Sequence, residues 1–182
     1  MDRLLESDLI SSSQDPYTDA RDTFIIDLLY STGIRRAELV ALKVADINLS
    51  RTEIRVLGKG NKVRSIPMTK HLIEAYQKYM TFRNNLDHIE SDVLFLTEKG
   101  KKIYPRLVHT IVHRKLSSVT SLDKKSPHIL RHSFATHMSN NGAKLNDIKE
   151  LLGHASLAST QVYTHNTIEQ LKEIYKSAHP KS

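Results

Sequence analysis

A handful of side chains in this sequence have types and spacings that could do chemistry. In "SPHILRHSFATHM", His128, Arg131 and His132 stand at i, i+3 and i+4, so a helix here carries all three on one face. In "STGIRRAEL", Arg35 opens a helix just after Gly33, where free backbone N–H groups already attract anions. Its planar, permanently charged fork suits phosphate. Arg36 competes for that role, and Glu38 is placed to hold Arg35 or a nearby histidine. Lys59 lies between Gly58 and Gly60 in a turn and can reach into a groove, and Lys62 is nearly as well placed. In "LLGHASLASTQVYTHNT", His154 follows a helix-ending glycine and Tyr163 is a possible nucleophile. A phenol of ordinary pKa, about 10, is protonated at neutral pH and needs a base and cationic surroundings to attack.

Each of these residues also has a plain structural explanation. An i,i+4 histidine pair such as His128 and His132 can ligate zinc, but no His-Glu-x-x-His pattern and no cysteine completes such a site. Arg35 with Glu38 is equally readable as a surface salt bridge, Lys59 as a solvated turn residue and Tyr163 as a tyrosine at the edge of a core.

The elements that must position these groups can be read from periodicity and breakers. Phe24, Ile25, Leu28 and Leu29 give a helix over 17–32 that Gly33 stops, and a second short helix carries Glu38, Leu39 and Leu42. In "TEIRVLGKGNKVRSIP" two strand-like runs, Glu53–Leu57 and Lys62–Pro67, flank a glycine turn and predict a hairpin. Thr69 caps a helix with Leu72, Ile73, Tyr76 and Met80, "DVLFL" reads as a short buried strand, and another helix starts near Pro105. Ser126-Pro127 starts the helix of His128 and Arg131, whose Leu130, Phe134 and Met138 form a separate apolar stripe. Leu145 or Asn146 opens a helix that Gly153 ends; "STQVY" and an amphipathic "TIEQLKEIYKSA" follow. The fold class expected is mainly α with a small antiparallel β-sheet (α+β), in one domain over 17–182 after a lead-in over 1–16.

Composition narrows the partners. The 182 residues include 27 Lys and Arg against 20 Asp and Glu, a net charge of +7 that favours a polyanion. The basic residues are scattered rather than gathered on one amphipathic helix, which favours nucleic acid over a membrane surface. The zero cysteine count excludes a disulfide framework and a thiol nucleophile. No apolar run is long enough for a bilayer and the start does not read as a signal peptide, so a cytoplasmic location is expected.

In their order and spacing, "TGIRRAEL", "GKGNKVRSIP", "HILRHSFATH", "LLGHASLASTQVYTH" and the last helix resemble the catalytic domain of tyrosine recombinases. The likeness is to the Xer-type members of the lambda-integrase family and runs from about Tyr17 to Pro180. It implies the recombinase catalytic-domain fold and a catalytic set of Arg35, Lys59, His128, Arg131, His154 and Tyr163, with Glu38 in support. It selects Lys59 over Lys62, because the family lysine is the one enclosed in Gly-Lys-Gly. Arg36, Ala37 and Ala158-Ser159 are minor departures from the pattern.

The activity implied is site-specific recombination of double-stranded DNA through a 3′-phosphotyrosyl intermediate, with no metal, cofactor or ATP. Lys43, Arg55, Lys62, Arg64 and His132 are further expected DNA contacts. Residues 168–178 are expected to dock on a neighbouring protomer in a DNA-bound tetramer. The family's N-terminal helical domain is absent from this chain, so a fragment of a longer recombinase is expected. The biological role stands between chromosome-dimer resolution and mobile-element or phage integration. A non-catalytic DNA-binding module is the alternative from another class.

Overall fold

Asp15 caps the first helix. Its carboxylate accepts from the Thr18 N–H at 3.3 Å, and Pro16 follows in the first turn, where its missing N–H costs nothing. In this computed structural model the described residues are 15–118 and 125–153. His154, Tyr163, the expected "STQVY" helix and the expected final helix lie outside them.

The central element is α1 (Pro16–Thr32), which packs along α3 (Lys70–Arg83), α4 (Pro105–Ser117) and α5 (Pro127–Asn140). It is buried nearly all round, so its sequence lacks the polar stripe of a surface helix. Its buried charges are matched in place. Arg21 Nε donates to Asp22 Oδ1 at 2.9 Å and Arg114 of α4 donates to the same carboxylate, while Lys115 reaches the half-exposed Asp19 at 2.8 Å. Phe24 of α1, Tyr76 and Tyr79 of α3, and Phe95 form the aromatic centre of the core, with ring centroids 5.3–5.8 Å apart.

The hairpin forms where expected, as β2 (Glu53–Leu57) and β3 (Val63–Pro67), with a 3-10 turn over Lys59–Asn61 between them. A two-residue strand, β1 (Ile47–Asn48), adds to its edge and completes an antiparallel sheet of order β1-β2-β3. Ile54, Val56 and Ile66 turn into the core while Arg55 and Leu57 face out, as strand alternation requires. "DVLFL" corrects an expectation. It is extended and buried, but it makes only isolated bridges, Val93 with Lys43 and Leu96 with Lys102. Its remaining backbone groups serve side chains: Tyr79 and Arg83 both donate to the Leu94 carbonyl, and Tyr17 to that of Leu96. Polar side chains here replace a neighbouring strand.

Helix starts follow the sequence signals closely. Thr69 Oγ1 accepts from the Leu72 N–H at 3.2 Å at the start of α3. Ser126 occupies the cap position of α5, though its side chain makes no cap hydrogen bond. Leu130, Phe134 and Met138 are buried as a stripe, and the last two join Ile148, Leu151 and Leu152 in a small second core under α6 (Leu145–Leu151).

Candidate functional site

The site is built where the ends of three helices meet. α1 stops at Gly33, whose φ of +59° is the left-handed conformation that a helix C-terminus commonly adopts. A Cβ at Gly33 would lie 2.7 Å from both Leu152 Cδ2 and Phe134 Cδ1, so the absence of a side chain lets α5 and the end of α6 close on it. The short helix α2 (Arg36–Ala41) starts three residues later with Arg35 at its cap position.

Glu38 is the anchor of the site. Buried at 8% exposure, it accepts from the Arg35 N–H at 2.8 Å and from Arg35 Nη1 at 3.0 Å. Arg64 of β3 faces it as a two-pronged fork, with Nη1 at 2.9 Å from one carboxylate oxygen and Nη2 at 2.8 Å from the other. Burial alone pushes the Glu38 carboxyl up, but the Arg64 and Arg35 hydrogen bonds and charge outweigh it and hold the pKa below its ordinary value.

The end of α6 closes the arrangement. Three successive carbonyls, of Leu151, Leu152 and Gly153, are each taken by a different guanidinium. Arg64 Nε donates to Leu151 at 2.9 Å, Arg131 Nη2 to Leu152 at 2.8 Å, and Arg35 Nη2 to Gly153 at 3.3 Å. The Leu151 carbonyl is one that α6 leaves without an internal partner, and those of Leu152 and Gly153 follow it at the negative end of the helix dipole. Arg131 also donates to the Gly33 carbonyl, tying α5 to the end of α1. Burial first, then the Arg35 charge, lowers the Arg131 pKa to about 10, which leaves the guanidinium charged at neutral pH. Three guanidiniums around one carboxylate leave the cluster net positive, as an anion site must be.

The sequence-derived residues therefore divide. Arg35, Glu38 and Arg131 are brought together. Between the adjacent arginines, it is Arg35 whose side chain enters the cluster; Arg36 makes no side-chain hydrogen bond among the described residues. His128 lies on the exposed side of α5, one turn before Arg131, and His132 is also exposed. Lys59 sits in the hairpin turn, where Gly60 adopts a φ of +75°. Lys43 pairs with Asp92 at 2.8 Å, while Arg55 and Lys62 are exposed on the hairpin. No group of three or more His, Asp or Glu able to hold a metal gathers among the described residues.

Arg64 is placed differently from the other basic residues of the hairpin. Expected as a DNA contact, it is 5% exposed and commits its guanidinium to Glu38 and Leu151. The signal was present in the alternation of β3. Arg64 shares the inward parity of Ile66 and pairs across the ladder with the buried Val56.

The chain matches the phage integrase family over residues 6–170. It is 46% identical to the tyrosine recombinase XerC of Chlorobaculum parvum over 88% of this chain and 49% of that one. It is 44% identical to the XerC of Pelobacter propionicus over 89% and 53%. Among solved structures, XerH bound to its difH substrate superposes with a TM-score of 0.75 at 28% identity, covering 96% of this chain and 52% of that one. XerA superposes at 0.70 with 32% identity, covering 91% and 60%. The chain thus spans about half the length of the curated relatives it matches. The family match over residues 6–170, with relatives 44% and 46% identical over 89% and 88% of the chain, makes this protein a member of the phage integrase family.

Proposed function

We propose that this chain is the catalytic part of a site-specific DNA recombinase that cuts and rejoins strands through Tyr163. The observation that carries the reading is the convergence of Arg35 and Arg131 on the end of α6, directly ahead of His154, in a chain of this family. The names printed for its relatives, tyrosine recombinase XerC and a recombinase bound to difH, support DNA as the substrate.

In this reading the Tyr163 Oη attacks the scissile phosphorus and the bond from phosphorus to the 5′-oxygen breaks. The product is a 3′-phosphotyrosyl ester and a strand ending in a 5′-hydroxyl. His128, whose type titrates near neutrality, receives or relays the tyrosine proton, and Lys59 supplies one to the departing 5′-oxygen. Arg35 and Arg131, joined by His154, neutralise the nonbridging oxygens as charge develops on them. A 5′-hydroxyl of a partner strand then attacks the ester and frees the tyrosine. One phosphodiester is exchanged for another, so no ATP is consumed.

Residues 168–178 dock on a neighbouring protomer in a DNA-bound tetramer in this proposal, and their removal is expected to impair recombination. The apolar residues Leu171, Ile174, Tyr175 and Ala178 at helical spacing support that role. The cellular task is chromosome-dimer resolution or mobile-element integration; the XerC relatives favour the first.

The test is a nicked suicide substrate carrying the target site, with the product run on a denaturing gel. Wild type is expected to form a covalent protein–DNA complex insensitive to EDTA, and Tyr163→Phe none while keeping its fold. A complex formed by Tyr163→Phe would remove Tyr163 as nucleophile.

A further inference from the structure

Arg64 has no part in the chemistry proposed above, yet its guanidinium makes three hydrogen bonds inside the site. Its Nη1 and Nη2 hold the two oxygens of Glu38 at 2.9 and 2.8 Å, and its Nε holds the Leu151 carbonyl at 2.9 Å. Glu38 in turn holds both the backbone N–H and the Nη1 of Arg35. One guanidinium thus spans three segments: the hairpin strand β3, the start of α2, and the end of α6.

Two further contacts show how closely the site is built around it. A Cβ on Gly58 would stand 3.3 Å from Arg64 Nη1, and one on Gly153 would stand 3.0 Å from the same atom. Gly153 itself has a φ of +64°, a conformation that L side chains rarely adopt. The glycine before Lys59 and the glycine before His154 therefore both border this one buried side chain. Each of these glycines immediately precedes a residue of the expected catalytic set in the sequence.

We propose that Arg64 is a positioning residue for phosphate cleavage: it touches no DNA, but through Glu38 and the Leu151 carbonyl it fixes the Arg35 fork and the point from which His154 departs. The proposal rests on the recombinase reading for its consequence in catalysis. The chemistry asks specifically for arginine. A lysine ammonium is a compact point charge on a flexible stem and cannot serve two carboxylate oxygens and a carbonyl on three fixed vectors.

The experiment uses Arg64→Lys, which keeps the charge, in single-turnover cleavage of the nicked suicide substrate. Covalent-complex formation is expected to slow by about 10- to 100-fold, the scale of a misplaced catalytic group. DNA affinity and its salt slope are expected to stay at wild-type values. A double-mutant cycle with Arg35→Lys separates positioning from general loss of structure: the effect of Arg64→Lys is expected to shrink sharply once Arg35 is already displaced. Cleavage at the wild-type rate overturns the proposal. So does an additive cycle, or a loss confined to affinity with a salt slope reduced by about one, which would mark a phosphate contact.

Should Arg64→Lys fail to fold, Glu38→Gln, which keeps the shape and removes the anchoring charge, is put through the same assays with the same criteria. A readout free of activity keeps the two readings apart. The Arg35 Nε–H resonance in 15N spectra is expected to shift in Arg64→Lys, and an unchanged resonance overturns the proposal. If wild type forms no covalent complex while that resonance shifts, the recombinase reading fails and the positioning role stands.

Discussion

At the scale of single residues, the site is a cluster of fixed donors, and its behaviour follows from that. Arg35 is held from two sides by Glu38, yet its side chain keeps 38% of its surface exposed, so it can meet a ligand without reorganising. Arg35→Ala is expected to slow covalent-complex formation by about 10²–10³-fold, the cost of losing one preorganised donor; the rate of the suicide reaction measures it. Glu38 gives a pH prediction with a definite sign. Its carboxyl titrates below the ordinary value of 4.5 because Arg64 and Arg35 outweigh its burial. A lowered folded-state pKa adds stability that is complete above the unfolded value and is lost as pH falls through the folded one. The stability gap between wild type and Glu38→Gln is therefore expected to be constant from pH 6 to 8 and to close below about 4.5, as read from thermal unfolding. Arg35 and Glu38 were legible in the sequence because their spacing across a helix start is local. For Arg64 the strand alternation showed only that it points inward, and not its partners, which lie 26 and 87 positions away.

Secondary-structure elements were the most legible level wherever their signals are local. Thr69, Gly33 and the prolines at 105 and 127 mark helix ends by their own chemistry, and each does so in the structure; the first helix starts at Pro16, inside the expected lead-in, because Asp15 caps it. "DVLFL" was misread because its apolar run reports burial and not a hydrogen-bonding partner, and here the partners are Tyr17, Tyr79 and Arg83. The meeting of α1, α5 and α6 rests on Gly33, and this gives a prediction at the same scale. Gly33→Ala places a methyl 2.7 Å from Leu152 and Phe134 at a left-handed φ. The backbone alone is expected to cost about 1–2 kcal/mol, with the side-chain overlap added to it, as measured by the denaturant midpoint. The variant is also expected to cleave more slowly than its lost stability explains, because the Gly33 carbonyl is one of the two that hold Arg131.

For the whole molecule, the net charge of +7 sets the terms of any encounter with DNA. Affinity is expected to fall linearly in log–log form with salt, at a slope near 0.9 per phosphate neutralised on duplex DNA; fluorescence anisotropy across salt concentrations checks this. The same chain shows how its parts depend on one another. Arg64 with Leu151, Arg131 with Gly33, and Arg35 with Gly153 join positions 87, 98 and 118 residues apart. Contacts of such long range are expected to form late, because the closure entropy of the intervening chain must be met before they contribute. A chain still leaving the ribosome, or one only partly refolded, has its arginines but no arrangement of them. In the proposed function, strand cleavage then belongs to the finished fold alone.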